Sequence, residues 1–394
     1  MAERGAVPQV PALRRQALRL VRSFTFPLAP DDYLELVDPL WSTRELKGRV
    51  VGVAPASADA VTVLIKPGWE WPGHRAGQYL RLGVAVDGRH HWRAYSLTSE
   101  PARPDGCISI TPKLVPGGRV SPFLCERLEP GAIVRLGGVE GTFTLPEPTP
   151  ERLLFVSAGS GITPIVSMVR ELACRGTLAG ESAVVGRRAL ANGGAPAGGQ
   201  ARADGRCDVV HIHSSREPGQ IAFAGELRGL AARNAGYGLH AWISGERGRL
   251  EPADLDGLCP DWRSRETFLC GPPDLLEAFE EHWREEGIPE RLHVERFGPG
   301  GRLDESALGE GGTIRFCKSG VEAVSDGREP ILAAGESAGA ALPFGCRMGI
   351  CHSCVGRLRS GRVRDLRTGD VFGQDGELVQ TCINAPEGPV EIEL

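Results

Sequence analysis

The run Pro343-Phe-Gly-Cys346-Arg-Met-Gly-Ile-Cys351-His-Ser-Cys354 sets three cysteines at C-x₄-C-x₂-C spacing, with a fourth at Cys382. Three thiolates from one tight loop and one from a distant segment form the ligand pattern of a [2Fe–2S] cluster. Gly345 and Gly349 supply the backbone freedom that so close a wrap demands. Two plainer readings stand beside it, a four-cysteine zinc site and reduced core thiols. Zinc ribbons pair two C-x₂-C units and core thiols have no reason to cluster, so the spacing points to iron and to the movement of single electrons.

The rest of the chain suits that chemistry. Its 394 residues leave room for two or three domains, and 41% hydrophobic with 24% charged content is ordinary for a globular protein. A net charge of −5 argues against nucleic acid as a partner. Eleven cysteines over this length do not make a disulfide scaffold; they suit a reducing cytoplasm, where thiolates stay available to metal. The N-terminal stretch lacks the apolar core of a secretory signal, and no run reaches the ~18 apolar residues of a bilayer span. A membrane partner would be met from outside, so the expected location is cytoplasmic, or peripheral at the inner membrane face.

Residues 1–45 read as a helical segment, with Leu13, Ala17, Leu20 and Phe24 on one face among Arg14, Arg15, Arg19 and Arg22. From 46 to 149, short β runs broken by Gly and Pro predict an antiparallel β-barrel: Gly48–Val53, Ala60–Ile65, Gln78–Val84, His91–Leu97 and Cys107–Thr111. Residues 150–297 alternate strand and helix, Leu153–Ala158, Ile165–Cys174, Val209–His213, Thr267–Cys270 and Leu275–Glu286, which predicts an α/β doubly wound nucleotide-binding domain. Within it, 176–206 is rich in Ala, Gly and Arg without periodicity and reads as a mobile surface insertion. Residues 298–312 read as a linker, and 313–394 as the iron–sulfur domain.

Four stretches carry chemistry. Arg93-Ala-Tyr95-Ser96 places a cation, a ring and a hydroxyl on one strand; Arg93 and Tyr95 share a face and suit a phosphate and a stacked flavin. Pro116-Gly-Gly-Arg-Val120-Ser121 offers exposed amides and a hydroxyl to an anion. Ser157-Ala-Gly159-Ser-Gly161-Ile-Thr163-Pro164 follows a strand and opens a helix, where a pyrophosphate meets the amides and dipole of the helix N-terminus. Ser214, Ser215 and Arg216 end the next strand, where hydroxyl and guanidinium suit an adenosine 2′-phosphate. Each has a plain alternative, a turn or a solvated strand end. Arg357, Arg359, Arg362, Arg364 and Arg367 form a basic stretch after the cysteine loop, read either as a solvated strand face or as a docking site for an acidic acceptor or membrane surface.

Taken in order, Arg93-Ala-Tyr-Ser, Gly159-Ser-Gly-Ile-Thr-Pro, Cys270-Gly271-Pro272-Pro and the final cysteines resemble the ferredoxin–NADP reductase superfamily with a fused C-terminal plant-type ferredoxin domain. The resemblance implies a multidomain chain: an antiparallel β-barrel flavin domain, an α/β doubly wound domain and an α+β ferredoxin-like (β-grasp) domain. It implies that Arg93 binds flavin phosphates, Tyr95 lies along the flavin, and Ser96 sits by its reactive nitrogen as a candidate catalytic residue. Val120 and Ser121 match the second flavin-phosphate segment. Gly159, Gly161 and Thr163 would hold the phosphates of NADPH, Ser215 and Arg216 its 2′-phosphate, and Cys270, Gly271 and Pro272 its nicotinamide end. Cys270 has no recognisable His partner, so its role at a catalytic position is positioning or packing rather than nucleophilic attack. The pattern favours FAD over FMN, and Cys346, Cys351, Cys354 and Cys382 become the cluster ligands. Asp32-Tyr-Leu-Glu-Leu-Val-Asp-Pro-Leu and Arg44-Glu-Leu-Lys-Gly-Arg-Val narrow the resemblance to actinobacterial-type reductases that feed membrane acyl-CoA desaturases. The expected activity is NADPH-dependent reduction of such a desaturase through FAD and the cluster; the alternatives are the reductase of another oxygenase, whether alkane or aromatic-ring hydroxylase or haem monooxygenase, and a non-enzymatic redox sensor.

Overall fold

Strand-forming runs separated by Gly and Pro build the first sheet of the computed structural model, which describes residues 30–42, 44–86, 88–178, 206–297, 309–344, 349, 352–366 and 368–394. The helix expected around Leu13–Phe24, nearly all of the insertion, Cys346, Cys351 and Arg367 lie outside these residues. A short helix α1 (Pro30–Val37) precedes β1 (Lys47–Ser57) and is tied to it by ion pairs Glu35–Lys47 at 2.7 Å and, just beyond the helix, Asp38–Arg49 at 2.8 Å.

β1 is followed by β2 (Ala60–Pro67), β3 (Tyr79–Val86), β4 (Arg89–Ser96), β5 (Ile108–Ile110) and β6 (Ile133–Glu140). They form a six-stranded sheet in the order β4-β3-β6-β1-β2-β5, in which β1/β2, β1/β6, β2/β5 and β3/β6 pair antiparallel. A bridge between Leu97, just past β4, and Ile110 of β5 joins the two edges, which closes the barrel and removes its open strands. Alternate residues Val63, Ile65, Leu80, Leu82, Val134 and Leu136 are buried inside it, as period-2 patterning requires.

Beyond Pro150, β7 (Arg152–Ala158), α2 (Ile162–Cys174), β8 (Asp208–Ser215), α3 (Ala224–Arg233), β9 (Tyr237–Ile243), β10 (Glu266–Gly271), α4 (Pro273–Glu285) and β11 (Leu292–Arg296) alternate. The sheet order is β11-β10-β7-β8-β9, with β10/β7, β7/β8 and β8/β9 parallel. The chain steps from β7 out to β9 and then returns to the other side of β7. That reversal is a topological switch point, and the carboxyl ends of β7 and β10 flank the crevice where such sheets bind ligands. The near-continuous apolar run of β7, buried from Leu153 to Ser157, is what a strand covered on both faces needs.

The barrel and this sheet share one core. Phe143 and Leu145 from the barrel end pack with Phe155, Met168 and Phe268, Phe143 meeting Phe268 edge-on at 5.4 Å. Arg170 of α2 adds a polar tie, with a bidentate pair to Glu226 of α3 at 2.7 and 2.6 Å and a bond at 2.5 Å to the carbonyl of Thr98.

The last unit has β12 (Gly312–Phe316), β13 (Glu322–Ser325), α5 (Ile331–Ser337), β14 (Val355–Asp365), β15 (Val371–Phe372), β16 (Leu378–Gln380) and β17 (Asn384–Glu393). The sheet runs β13-β12-β17-β14-β15, with β16 also paired to β14; β12 and β17 are parallel, and β12/β13, β14/β15, β14/β16 and β14/β17 are antiparallel. Ile331, Leu332 and Ala334 of α5 pack on Ile314, Phe316, Leu358 and Ile392, giving a sheet with one helix over its face, the α+β arrangement expected. No helix among the described residues is long and apolar enough to cross a membrane.

Candidate functional site

In the last unit, Cys354 stands at the start of β14 and Cys382 between β16 and β17; both are 1% exposed and belong to the same core. Thr381 binds them together: its backbone N–H and its hydroxyl both donate to the carbonyl of Cys354, at 3.2 and 2.9 Å. The backbone N–H of Gly349 donates to Cys382 Sγ at 3.3 Å. An amide aimed at a buried sulfur from within the loop of the other cysteines is what a thiolate ligand of a cluster requires, since N–H···S bonds stabilise its negative charge. Gly349 holds φ +73°, so a side chain there would be strained. These residues fit the cluster.

Two arginines of the basic stretch are paired with carboxylates. Arg364 pairs with Glu387 and Arg359 with Glu393 across the β14/β17 ladder, while Arg357 donates to the carbonyl of Gly376. Arg362 stays exposed. Arg359 and Arg364 thus carry their own counter-charges on the strand face.

On β4, Arg93 is half-buried and donates to the carbonyl of Trp92 at 2.8 Å; Tyr95, two residues on, shares its face, and Ser96 is buried. Val120 begins a single helical turn, Val120–Pro122, with its side chain buried. The hydroxyl of Ser121 accepts the N–H of Val115 at 3.1 Å, which folds the Pro116–Arg119 turn back on itself.

The Gly159–Gly161 loop sits where the sheet reverses. Gly159 takes φ +55° directly after β7, a turn at Gly159–Gly161 follows, and α2 begins at Ile162. Thr163 donates its hydroxyl to the carbonyl of Ser160 at 2.9 Å, so it shapes the loop from within. Beside it, Ala158 pairs with Ser214, which sets the end of β8 next to the loop. Ser215 is buried and donates to the carbonyl of Glu217 at 3.1 Å, whereas Arg216 is exposed. The cation, not the hydroxyl, is the group available to a ligand there. On the other side, Cys270 pairs with Ser157 near the end of β10. The thiol of Cys270 is wholly buried in the shared core.

The sheet also contains a polar chain that sequence reasoning passed over. Ser157 Oγ lies 2.9 Å from His211 Nε2 and 2.8 Å from His213 Nδ1, and His211 Nδ1 lies 2.8 Å from the hydroxyl of Tyr237. Three adjacent strands are thereby cross-linked directly behind Gly159. His-x-His on β8 was the available signal, since alternate residues of a strand share a face. Burial pushes the His211 imidazole well below the usual range and that of His213 down to about 4, so both are neutral. The unfolded chain, with His pKa about 6.5, then binds more protons below that pH, so stability falls as pH falls. Stability is therefore expected to decline as pH falls below ~6.5, the value for an unfolded histidine. Denaturant unfolding followed at pH 7 and pH 5 checks this, and an unchanged midpoint would count against it.

Comparisons agree with this geometry. Residues 71–145 match the family described as "Oxidoreductase FAD-binding domain", and residues 314–387 match "2Fe-2S iron-sulfur cluster binding domain". An NADPH oxidoreductase of Mycobacterium tuberculosis is 41% identical over 387 residues, 97% of this chain and 92% of the relative. A glycine betaine monooxygenase reductase subunit of Pseudomonas aeruginosa is 28% identical over 347 residues, 81% and 87% of the two chains. The solved phthalate dioxygenase reductase, described as a modular structure for electron transfer from pyridine nucleotides to [2Fe–2S], has a TM-score of 0.52 at 19% identity over 89% of this chain and 98% of that one, a likeness of fold. FAD and the iron–sulfur centre are thus the cofactors, and the zinc alternative falls away. The chain belongs to the NAD(P)H-dependent oxidoreductases that join a ferredoxin–NADP reductase-type FAD-binding domain to a C-terminal [2Fe–2S] ferredoxin domain.

Proposed function

We propose that the protein carries electrons from NADPH to a separate oxygen-activating iron enzyme, with a membrane fatty acyl-CoA desaturase as the acceptor. The chemistry belongs to the cofactors: NADPH gives up a hydride, FAD takes two electrons and releases them singly, and the cluster passes one at a time. The chain's part is to hold each group. Arg93 and Ser121, with Val120, would hold the flavin phosphates, Tyr95 would pack along the ring, and Ser96 would lie by its reactive nitrogen. Gly159, Gly161 and Thr163 would form the pyrophosphate loop, Arg216 would receive the 2′-phosphate with Ser215 shaping the strand end beside it, and Cys270, Gly271 and Pro272 would border the nicotinamide. Cys346, Cys351, Cys354 and Cys382 ligate the iron, in a domain that begins near residue 313.

One observation carries the reading: both cofactor families match a single chain that is 41% identical, nearly end to end, to an NADPH oxidoreductase. The desaturase rests on the resemblance of Asp32–Leu40 and Arg44–Val50. A second reading, the reductase of another oxygenase, is favoured by relatives named as reductase subunits of glycine betaine monooxygenase and of stachydrine N-demethylase. Purified protein, NADPH and oxygen combined with each class of acceptor decide between them. Unsaturated acyl product formed in step with NADPH supports the desaturase; turnover with an oxygenase alone selects the second reading. Turnover with neither, despite active reduction of cytochrome c, would overturn both.

A further inference from the structure

Gln380, two residues before Cys382, spends its side-chain amide on the cysteine loop. Its Nε2 lies 2.6 Å from the carbonyl of Gly349 and 3.1 Å from Nδ1 of His352, so one NH₂ group, which has two protons to give, serves both. The backbone of Gln380 is fixed independently, by pairing with Val355 of β14 and by a bond from the Asn384 amide to its carbonyl at 2.9 Å. Each partner needs holding. His352 lies at φ +54°, a region that non-glycine residues enter at a cost of about 1–3 kcal/mol and only when their surroundings impose it. Gly349 is the residue whose N–H meets Cys382 Sγ at 3.3 Å. A closed circuit results: the side chain of Gln380 pulls on the carbonyl of Gly349, and the amide of Gly349 reaches back to the sulfur two residues beyond Gln380.

We propose that Gln380 is a positioning residue of the iron–sulfur centre, clamping the ligand loop so that the Gly349 amide stays on the sulfur of Cys382. The proposal rests on the cluster assignment above. Hydrogen bonds to cluster sulfurs favour the more negative, reduced form, and partners one step removed from a metal govern how firmly it is kept. Loss of the clamp therefore lowers the reduction potential and speeds release of iron.

The test uses the full chain loaded with FAD and cluster under anaerobic conditions. Gln380→Leu removes both donors at similar volume, and Gln380→Glu sets an acceptor against the carbonyl of Gly349. Both are expected to shift the EPR-monitored potential to more negative values and to release iron to a chelator about tenfold faster, with flavin reduction by NADPH unaltered. Leu378→Ala, on the same strand at an exposed position, is expected to behave as wild type. Wild-type potential and iron release in both Gln380 variants, or an equal shift in Leu378→Ala, would overturn the proposal. If Gln380→Leu loads no iron, Gln380→Asn decides: a partial shift supports the clamp, and wild-type values refute it. Absence of iron from the wild-type chain would instead remove the cluster assignment itself.

Discussion

Cys382→Ser is expected to lose the iron–sulfur centre and, with it, electron delivery to one-electron acceptors such as cytochrome c, while NADPH still bleaches the flavin. The sulfur of Cys382 is buried, receives the Gly349 amide, and sits one residue from Thr381, which ties it to Cys354. A serine oxygen is a hard and poorly ionised donor that does not replace a thiolate on iron. Changes one step removed from a metal typically cost about 10–100-fold in affinity or activity, and loss of a ligand exceeds that. The folded flavin and nucleotide domains do not depend on this residue, because their core is built from other elements. Stopped-flow absorbance for the flavin and steady-state cytochrome c reduction, measured on one preparation, separate the two effects. Cytochrome c reduction retained at the wild-type rate in a variant that holds no iron would mean that the electron path does not run through the cluster.

Arg216→Ala is expected to raise KM for NADPH by about 10–100-fold, since a charge-assisted bond contributes about 1.5–3 kcal/mol. KM for NADH should hardly change. Arg216 is exposed at the carboxyl end of β8, one strand from the Gly159 loop, whereas the Ser215 hydroxyl is buried and engaged with Glu217. Ser215→Ala should therefore cost less than Arg216→Ala. Equal effects of Arg216→Ala on both coenzymes would show that the guanidinium does not read the 2′-phosphate.

The parts of this molecule that are written locally could be read directly. Cysteine spacing announces the iron–sulfur domain because ligand geometry imposes it on a few adjacent residues, and Gly159 and Gly161 announce the turn between β7 and α2 because a sharp entry into a helix N-terminus needs them there. Most strands of the barrel were legible from their alternation. β6, β9, β11 and α3 were not: Tyr237–Ile243, for instance, mixes polar and apolar residues without a clean period. What stayed hidden depends on partners far apart in the chain. Ser157, His211, His213 and Tyr237 meet only when three parallel strands align. The carboxylates that pair with Arg364 and Arg359 after the cysteine loop, Glu387 and Glu393, face them only once β14 and β17 align. Thr163 reads as a phosphate contact from its position, yet its hydroxyl turns to Ser160. Gln380 carried no local signal, because its importance lies in a loop some thirty residues away.

The most direct test of the relay is anaerobic addition of NADPH alone to the intact protein, followed in parallel by visible absorbance and low-temperature EPR. Bleaching of the flavin accompanied by the paramagnetic signal of a reduced [2Fe–2S] centre is the predicted result. Full flavin bleaching with no iron signal, in protein shown to contain iron and inorganic sulfide, would contradict the account.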